Sequence, residues 1–205
     1  MLTPFCRSIS IAMLVLFSVL VKAETNTADQ FIKALTDRLE ITLTEAKKNN
    51  RLSDVTYIDQ LIDEEILPHI NLDVLCKRIY REHWKDILDK NKKQVAIDAV
   101  VLSLKRTYRL AVSAYSGQAI AITNSKQLKS YDIVRINISS KGENDHMIDF
   151  ALRQFDGVWK IFDFSVDGIG ISKTLHSSIS QQIKNDGLEA TIEALAQTDQ
   201  NASES

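Results

Sequence analysis

Residues 159–172 read WKIFDFSVDGIGIS, and the fold turns on how that stretch is read. Ile161, Phe162, Phe164 and Val166 give it the aromatic and β-branched content of a strand, which then runs into a turn and opens a helix. Upstream the pattern sharpens. Between residues 131 and 140 the apolar side chains are Val134, Ile136 and Ile138, with Arg135, Asn137 and Ser139 between them. Between 146 and 155 they are Ile148, Phe150 and Leu152, set against Asp149 and Arg153. A period of two puts one apolar and one wet face on each strand. The block starts near Gly117 and reads as an antiparallel sheet of about four strands. Its apolar face needs a cover, either helices or a ligand.

The flanks are helical. Residues 25–49 carry Phe31, Leu35, Leu39 and Leu43 at i+4 spacing and approach their end at Lys47-Lys48, where cations suit the helix dipole. Residues 54–67 form a second helix, capped by Ser53 or Asp54 and ended by Pro68. Asn71 or Asp73 caps a short helix running to Tyr80. Residues 94–115 make a longer one, with Val101, Leu104, Tyr108, Ala111 and Tyr115 on a shared face, stopped by Gly117. Two closing helices occupy residues 172–184 and 187–196. Helices, then an antiparallel sheet, then helices place the fold in the α+β class.

The N-terminus reads as an export signal. Arg7 precedes an apolar run from Ile9 to Val21, and Val21-Lys22-Ala23 offers small or short residues for cleavage before Glu24. No cysteine follows the run, so the lipoprotein pattern is absent. The organisation is then a cleaved signal at 1–23, a single domain at 24–196, and a polar tail at 197–205 that is expected to be disordered. Cleavage leaves 23 basic against 27 acidic residues, a net charge of −4. No basic stripe is available to neutralise phosphates, which argues against nucleic acid as a partner. Cys6 leaves with the signal. Cys76 stays alone, without an internal disulfide, and reads as a small buried hydrophobe.

The Phe155-Asp156-Gly157 hairpin tests the face assignment. A two-residue loop pairs Phe155 with Val158 and sets Phe150 opposite Asp163. A three-residue loop with left-handed Gly157 pairs Phe150 with Phe162 and Ile148 with Phe164, and is preferred because it keeps apolar faces together. It also puts Asp149 opposite Asp163, with Arg135 diagonally near if Ser140 pairs with His146. Such an Asp/Asp/Arg cluster supports an alternative function, a small α+β enzyme with an enclosed apolar pocket and an acid–base site. A solvated, ion-paired face is the commoner use of such residues. Other chemistry is thin. His69, His83, His146 and His176 lack metal-ligand spacing, and there is no Gly-rich phosphate loop and no G-x-S-x-G elbow. Tyr80 and Trp84 share a helical face, as a core pair or as an aromatic lip.

Residues 66–84, ILPHINLDVLCKRIYREHW, resemble a segment of the MlaC-type family, periplasmic phospholipid-binding proteins also called toluene-tolerance auxiliary proteins. That segment runs as Ile/Leu-Leu-Pro-His/Tyr, then Asp/Asn-Phe/Leu, with an aromatic and Trp near its end. YSGQ at residues 115–118, the Asp156-Gly157 turn, WKIFDFSVDGIGIS and NDGLEATIEAL at 185–195 follow in the family's order and spacing. Where the family usually has Tyr-Arg in the last-helix region, this chain has Leu175-His176.

The resemblance implies a monomeric, non-enzymatic carrier that needs no metal or cofactor. Its cargo would be one phospholipid, moved between an outer-membrane lipoprotein/porin complex and an inner-membrane MCE-type ABC transporter complex to keep the outer membrane asymmetric. Acyl tails of roughly 30 methylenes, at about 0.8 kcal/mol each on burial, need an almost complete apolar wall. The sheet offers Val134, Ile136, Ile138, Ile148, Phe150, Leu152, Phe162, Phe164 and Val166 for that wall. The helical side offers Leu104, Tyr108, Ala111, Tyr115, Ile169, Ile171 and Leu175. The same residues could equally form an ordinary filled core, since apolar faces usually meet each other.

Overall fold

The computed structural model describes residues 27–139 and 144–197. The expected signal at 1–23 and the expected tail beyond Gln197 lie outside the described residues. Among the described residues, five α-helices precede the sheet: α1 (Ala28–Lys48), α2 (Val55–Leu61), α3 (Leu72–Tyr80), α4 (Trp84–Asp89) and α5 (Lys93–Ser113). The strands are β1 (Ala119–Gln127), β2 (Asp132–Ser139), β3 (His146–Phe155), β4 (Val158–Val166) and a two-residue β5 (Ile169–Gly170). Helices α6 (Ile171–Asp186) and α7 (Leu188–Gln197) follow. The class is α+β, with one short strand beyond the four expected.

Local chemistry sets the helix starts. The Asp54 carboxylate accepts from the Tyr57 N–H at 3.2 Å, and Asn71 Oδ1 accepts from the Val74 N–H at 3.0 Å. The helical path after α2 does not stay regular up to Pro68. It passes through a π-helical turn, Ile62–Ile66, and then a 3-10 turn, Leu67–His69, that contains the proline. Helix α4 is not legible in the sequence. It exists because Arg81, at φ 44°, breaks α3 and a 3-10 turn restarts the helix at Trp84.

The five strands form one antiparallel meander in sequence order. The preferred three-residue β3–β4 loop is not what the chain does. Phe155 pairs with Val158 across a two-residue turn in which Asp156 (φ 50°) and Gly157 (φ 78°) are both left-handed. That geometry suits the strand twist. The extra residue needed to keep apolar faces together is absorbed further along. A bulge opposite Ala151 and Leu152 takes up Phe162, so that Leu152 pairs with Ile161 while Ala151 pairs with Asp163. Phe150 therefore faces Phe164, not Phe162, and Ile148 faces Val166, not Phe164. A second left-handed pair, Asp167 and Gly168, turns β4 into β5.

The bulge also ties the two halves of the molecule together. The Asn71 N–H donates to the Ile161 carbonyl at 2.7 Å, and Ile70 bridges Ile161 in parallel, just before α3 begins. Burial is organised in two clusters. One is helical, with Leu75, Cys76, Ile79, Tyr80, Ile87, Val100, Ile179 and Ile192 at its centre. The other joins Ala28, Ile32 and Leu35 of α1 to Val134, Ile136, Leu152 and Ile161 of the sheet.

Candidate functional site

Helix α1 is the main cover of the sheet. Its apolar stripe lies over β1 and β2, and Val134, Ile136 and Leu152 are buried beneath Ile32 and Leu35. This part of the expected wall is closed by the chain itself. Towards β3 and β4 the cover thins. Ile138, Ile148, Phe150, Phe164 and Val166 are only half-buried. Helix α5 reaches this side through Tyr108, whose ring centre lies 5.9 Å from that of Phe164. Ile120, Ile122 and Trp159 join the same sheet face, together with Phe31 and Leu39 of α1. None of these five was expected in the wall, although Phe31 and Leu39 stand in the i+4 stripe of α1 and Ile120/Ile122 and Trp159/Ile161 alternate with the required period of two.

The other named residues divide. Leu104 and Leu175 are half-buried and pack against the helical cluster, while Ile171 is buried. Ala111 is exposed and Ile169 is 62% exposed. Phe162, displaced by the bulge, lies apart from the Phe150–Phe164 group. Its neighbours are the Tyr131 ring at 5.6 Å and the Arg78 guanidinium at 5.6 Å. Tyr115 lies at the end of α5, its hydroxyl 3.3 Å from that of Thr44. His176 bonds the Ile79 carbonyl at 2.9 Å and locks α6 to α3.

Tyr115 also belongs to a recess of about 820 Å³ between the end of α1, the start of α2 and the last turns of α5. Its wall includes Lys47, Leu52, Ile58, Arg106, Arg109 and Leu110. Sequence patterning could not assemble it, because it joins three segments far apart in the chain.

The Asp/Asp/Arg cluster does not form. Arg135 stands directly opposite Asp149, because Ile138 and not Ser140 pairs with His146, and grips it with two bonds of 2.6 and 2.8 Å. Asp149 faces Ser165 across β4, not Asp163. Asp163 has structural work instead. It accepts from Arg78 Nε at 2.9 Å, from Ser172 Oγ at 2.6 Å and from the Ser172 N–H at 3.3 Å, the last satisfying a free backbone donor at the start of α6. No group of residues that could hold a metal ion occurs among the described residues. Nor is any described helix long and apolar enough to cross a membrane. Burial pushes the Cys76 thiol up to about 12, so it is inert packing. Tyr80 and Trp84 are buried and stacked at 6.2 Å, a core pair and not a lip.

Comparison with known proteins gives a consistent result. The family model described as MlaC protein matches residues 33–197. The intermembrane phospholipid transport system binding protein MlaC of Haemophilus influenzae is 19% identical over 159 residues, 75% of this chain and 74% of that one. A solved phospholipid-binding protein from Ralstonia solanacearum, in complex with a phospholipid, superposes with a TM-score of 0.74 at 20% identity. The alignment covers 82% of this chain and 94% of that one.

Proposed function

Because this chain belongs to the MlaC family, we propose that it is a carrier that binds one phospholipid, tails inward, and transports it. The finer reading places it in the periplasm after cleavage at Ala23. There it shuttles lipid between an outer-membrane lipoprotein/porin complex and an inner-membrane MCE-type ABC transporter, and so maintains outer-membrane asymmetry. The protein works as a monomer, by binding and not by catalysis. The phospholipid held by the Ralstonia neighbour supports the choice of cargo.

The observation that carries the reading is the half-buried apolar strip of Ile138, Ile148, Phe150, Phe164 and Tyr108, lying beside two clusters that are fully packed. Contiguous apolar surface that folding leaves incompletely covered marks a binding site. Acyl chains are the right chemistry for it. The strip carries no charge on its sheet side, because Asp149, Arg135 and Asp163 point the other way. Placing a carboxylate there opposes cargo, since it must lose its water when tails enter.

The test follows from the strip's two faces. Phe150→Asp or Phe164→Asp is expected to empty the carrier, whereas Asp149→Asn leaves it loaded. Lipid extraction and thin-layer analysis of each purified variant, with circular dichroism to confirm folding, reads this out. Folded, empty aspartate variants beside loaded phenylalanine variants would reverse the assignment and restore the enzyme reading.

A further inference from the structure

Helices α1 and α5 stand over the same side of the sheet. Val134 pairs with Phe150 and Phe150 with Phe164, so the three side chains share one face. Helix α1 lies on Val134, and Tyr108 of α5 meets Phe164, which leaves half-buried Phe150 beneath the gap between the two helices. Residues 55–66, made of α2 and the π-helical turn after it, bridge that gap. Asp63 pairs with Lys105 of α5 at 2.6 Å, and two residues later Glu65 pairs with Arg38 of α1 at 2.8 Å. One turn before Asp63, Asp59 accepts two bonds from Arg109 of α5 at 3.0 and 2.8 Å.

This bridge is apolar beneath and charged along its edges. Ile58, Leu61 and Ile62 recur at three- and four-residue spacing, so they share a face, and all three are buried. They belong to neither packed cluster. A segment held by α5 on one edge and by α1 on the other buries such a face between them, above the strip. Its edges are fastened by side-chain ion pairs whose acids, Asp63 and Glu65, stay partly exposed, and such pairs exchange readily for water. Its ends are fastened by backbone instead. Near the first, Asn50 at φ 54° turns the chain out of α1 and the Arg51 N–H donates to the Ala46 carbonyl at 2.9 Å. Beyond the last, the Asn71 N–H holds the Ile161 carbonyl at 2.7 Å.

Resting on the carrier reading, we infer that residues 55–66 are a hinged cover that lifts between its pinned ends to let acyl tails pass to and from the strip. The pairs Asp63–Lys105, Glu65–Arg38 and Asp59–Arg109 latch it shut. Lifting returns the latch charges to water, and the apolar face that it uncovers is the one the tails then meet. Helix α1 is no alternative door, because Ile32 and Leu35 are packed into the sheet cluster. The π-helical turn carries two of the latch acids, and interruptions of this kind recur where a helix serves a function.

Release of a fluorescent phospholipid from loaded, purified protein to phosphatidylcholine vesicles reads the motion of the cover. The double variant Asp59→Cys/Arg109→Cys is loaded and then joined by a short bis-maleimide, with N-ethylmaleimide, which joins nothing, as control. Cys76 is fully buried and stays out of the reaction. Joining is expected to slow release about tenfold or more, because a held cover blocks the exit. Arg38→Cys/Glu65→Cys, joined in the same way, serves if the first pair misfolds. Glu65→Gln and Lys105→Met each remove one latch and leave its other member facing water. Each should speed release about threefold, the factor that one partly exposed ion pair supplies. Added salt should speed wild-type release by screening the latches, and should do so less in Glu65→Gln. Joined protein that releases lipid at the control rate, or latch variants as slow as wild type, overturns this inference alone. Lipid bound by none of the proteins overturns the carrier reading with it.

Discussion

His69 shows how one side chain reports on the packing around it. The Arg38 Nη2 donates to its Nε2 at 2.6 Å, and the Phe31 ring meets it edge-on at 5.6 Å. Burial, then the charges of Arg38 and Lys160, hold its pKa below the ordinary 6.5. The neutral ring is thus the native form. Because the folded value lies below the unfolded one, its contribution to stability is present above pH 6.5 and is lost as pH falls through the folded value. Denaturant unfolding at about pH 7.5 and about pH 5.5 should show wild type losing more stability on acidification than His69→Gln does. Equal losses would mean that the ring titrates freely. His69 follows Pro68, the residue expected to end the second helix, and it sits in the 3-10 turn that ends that helical path. Its partner Arg38 lies 31 residues away, which no local pattern encodes.

At the scale of elements, the turns carry a sharper prediction. Gly157 holds φ 78° in the β3–β4 turn and is followed at once by paired strands. Gly157→Ala forces a Cβ into the left-handed region and should cost about 1 kcal/mol of stability, read as a lower denaturation midpoint with unchanged slope. A neutral result would show that the turn relaxes to another type. The same hairpin explains what the sequence could and could not specify. Alternation of Ile148, Phe150 and Leu152 against Phe164 and Val166 demands one extra residue on the β4 side, or the faces would not meet. It does not say where. A longer loop and a bulge at Phe162 satisfy the parity equally, and left-handed Asp156 with Gly157 makes the tight loop the better choice. Helix α1 shows the same kind of gap. Its i+4 stripe states that it packs on something, and only the tertiary structure reveals that this is the sheet face assigned in advance to α5 and α6.

For the whole molecule, the α+β order was readable because period-two and period-3.6 stretches occupy separate parts of the chain. The site was readable in part. Phe150, Phe164 and Tyr108 do meet the half-covered region, whereas Val134, Ile136 and Leu152 are covered by α1. Periodicity identifies which side chains turn inward but not which of them another helix will reach. The basic recess is not legible in the sequence because its cations come from α1 and α5, with Asn50 and Ser53 from the turn between α1 and α2. The central claim is that this surface holds a phospholipid, and native mass spectrometry of protein purified without detergent from its own compartment tests it most directly. The expected result is a species heavier than the polypeptide by the mass of one phospholipid, which collisional activation releases as an intact lipid ion. A bare polypeptide mass in every charge state, from folded protein freshly prepared beside lipid-rich membranes, would contradict it.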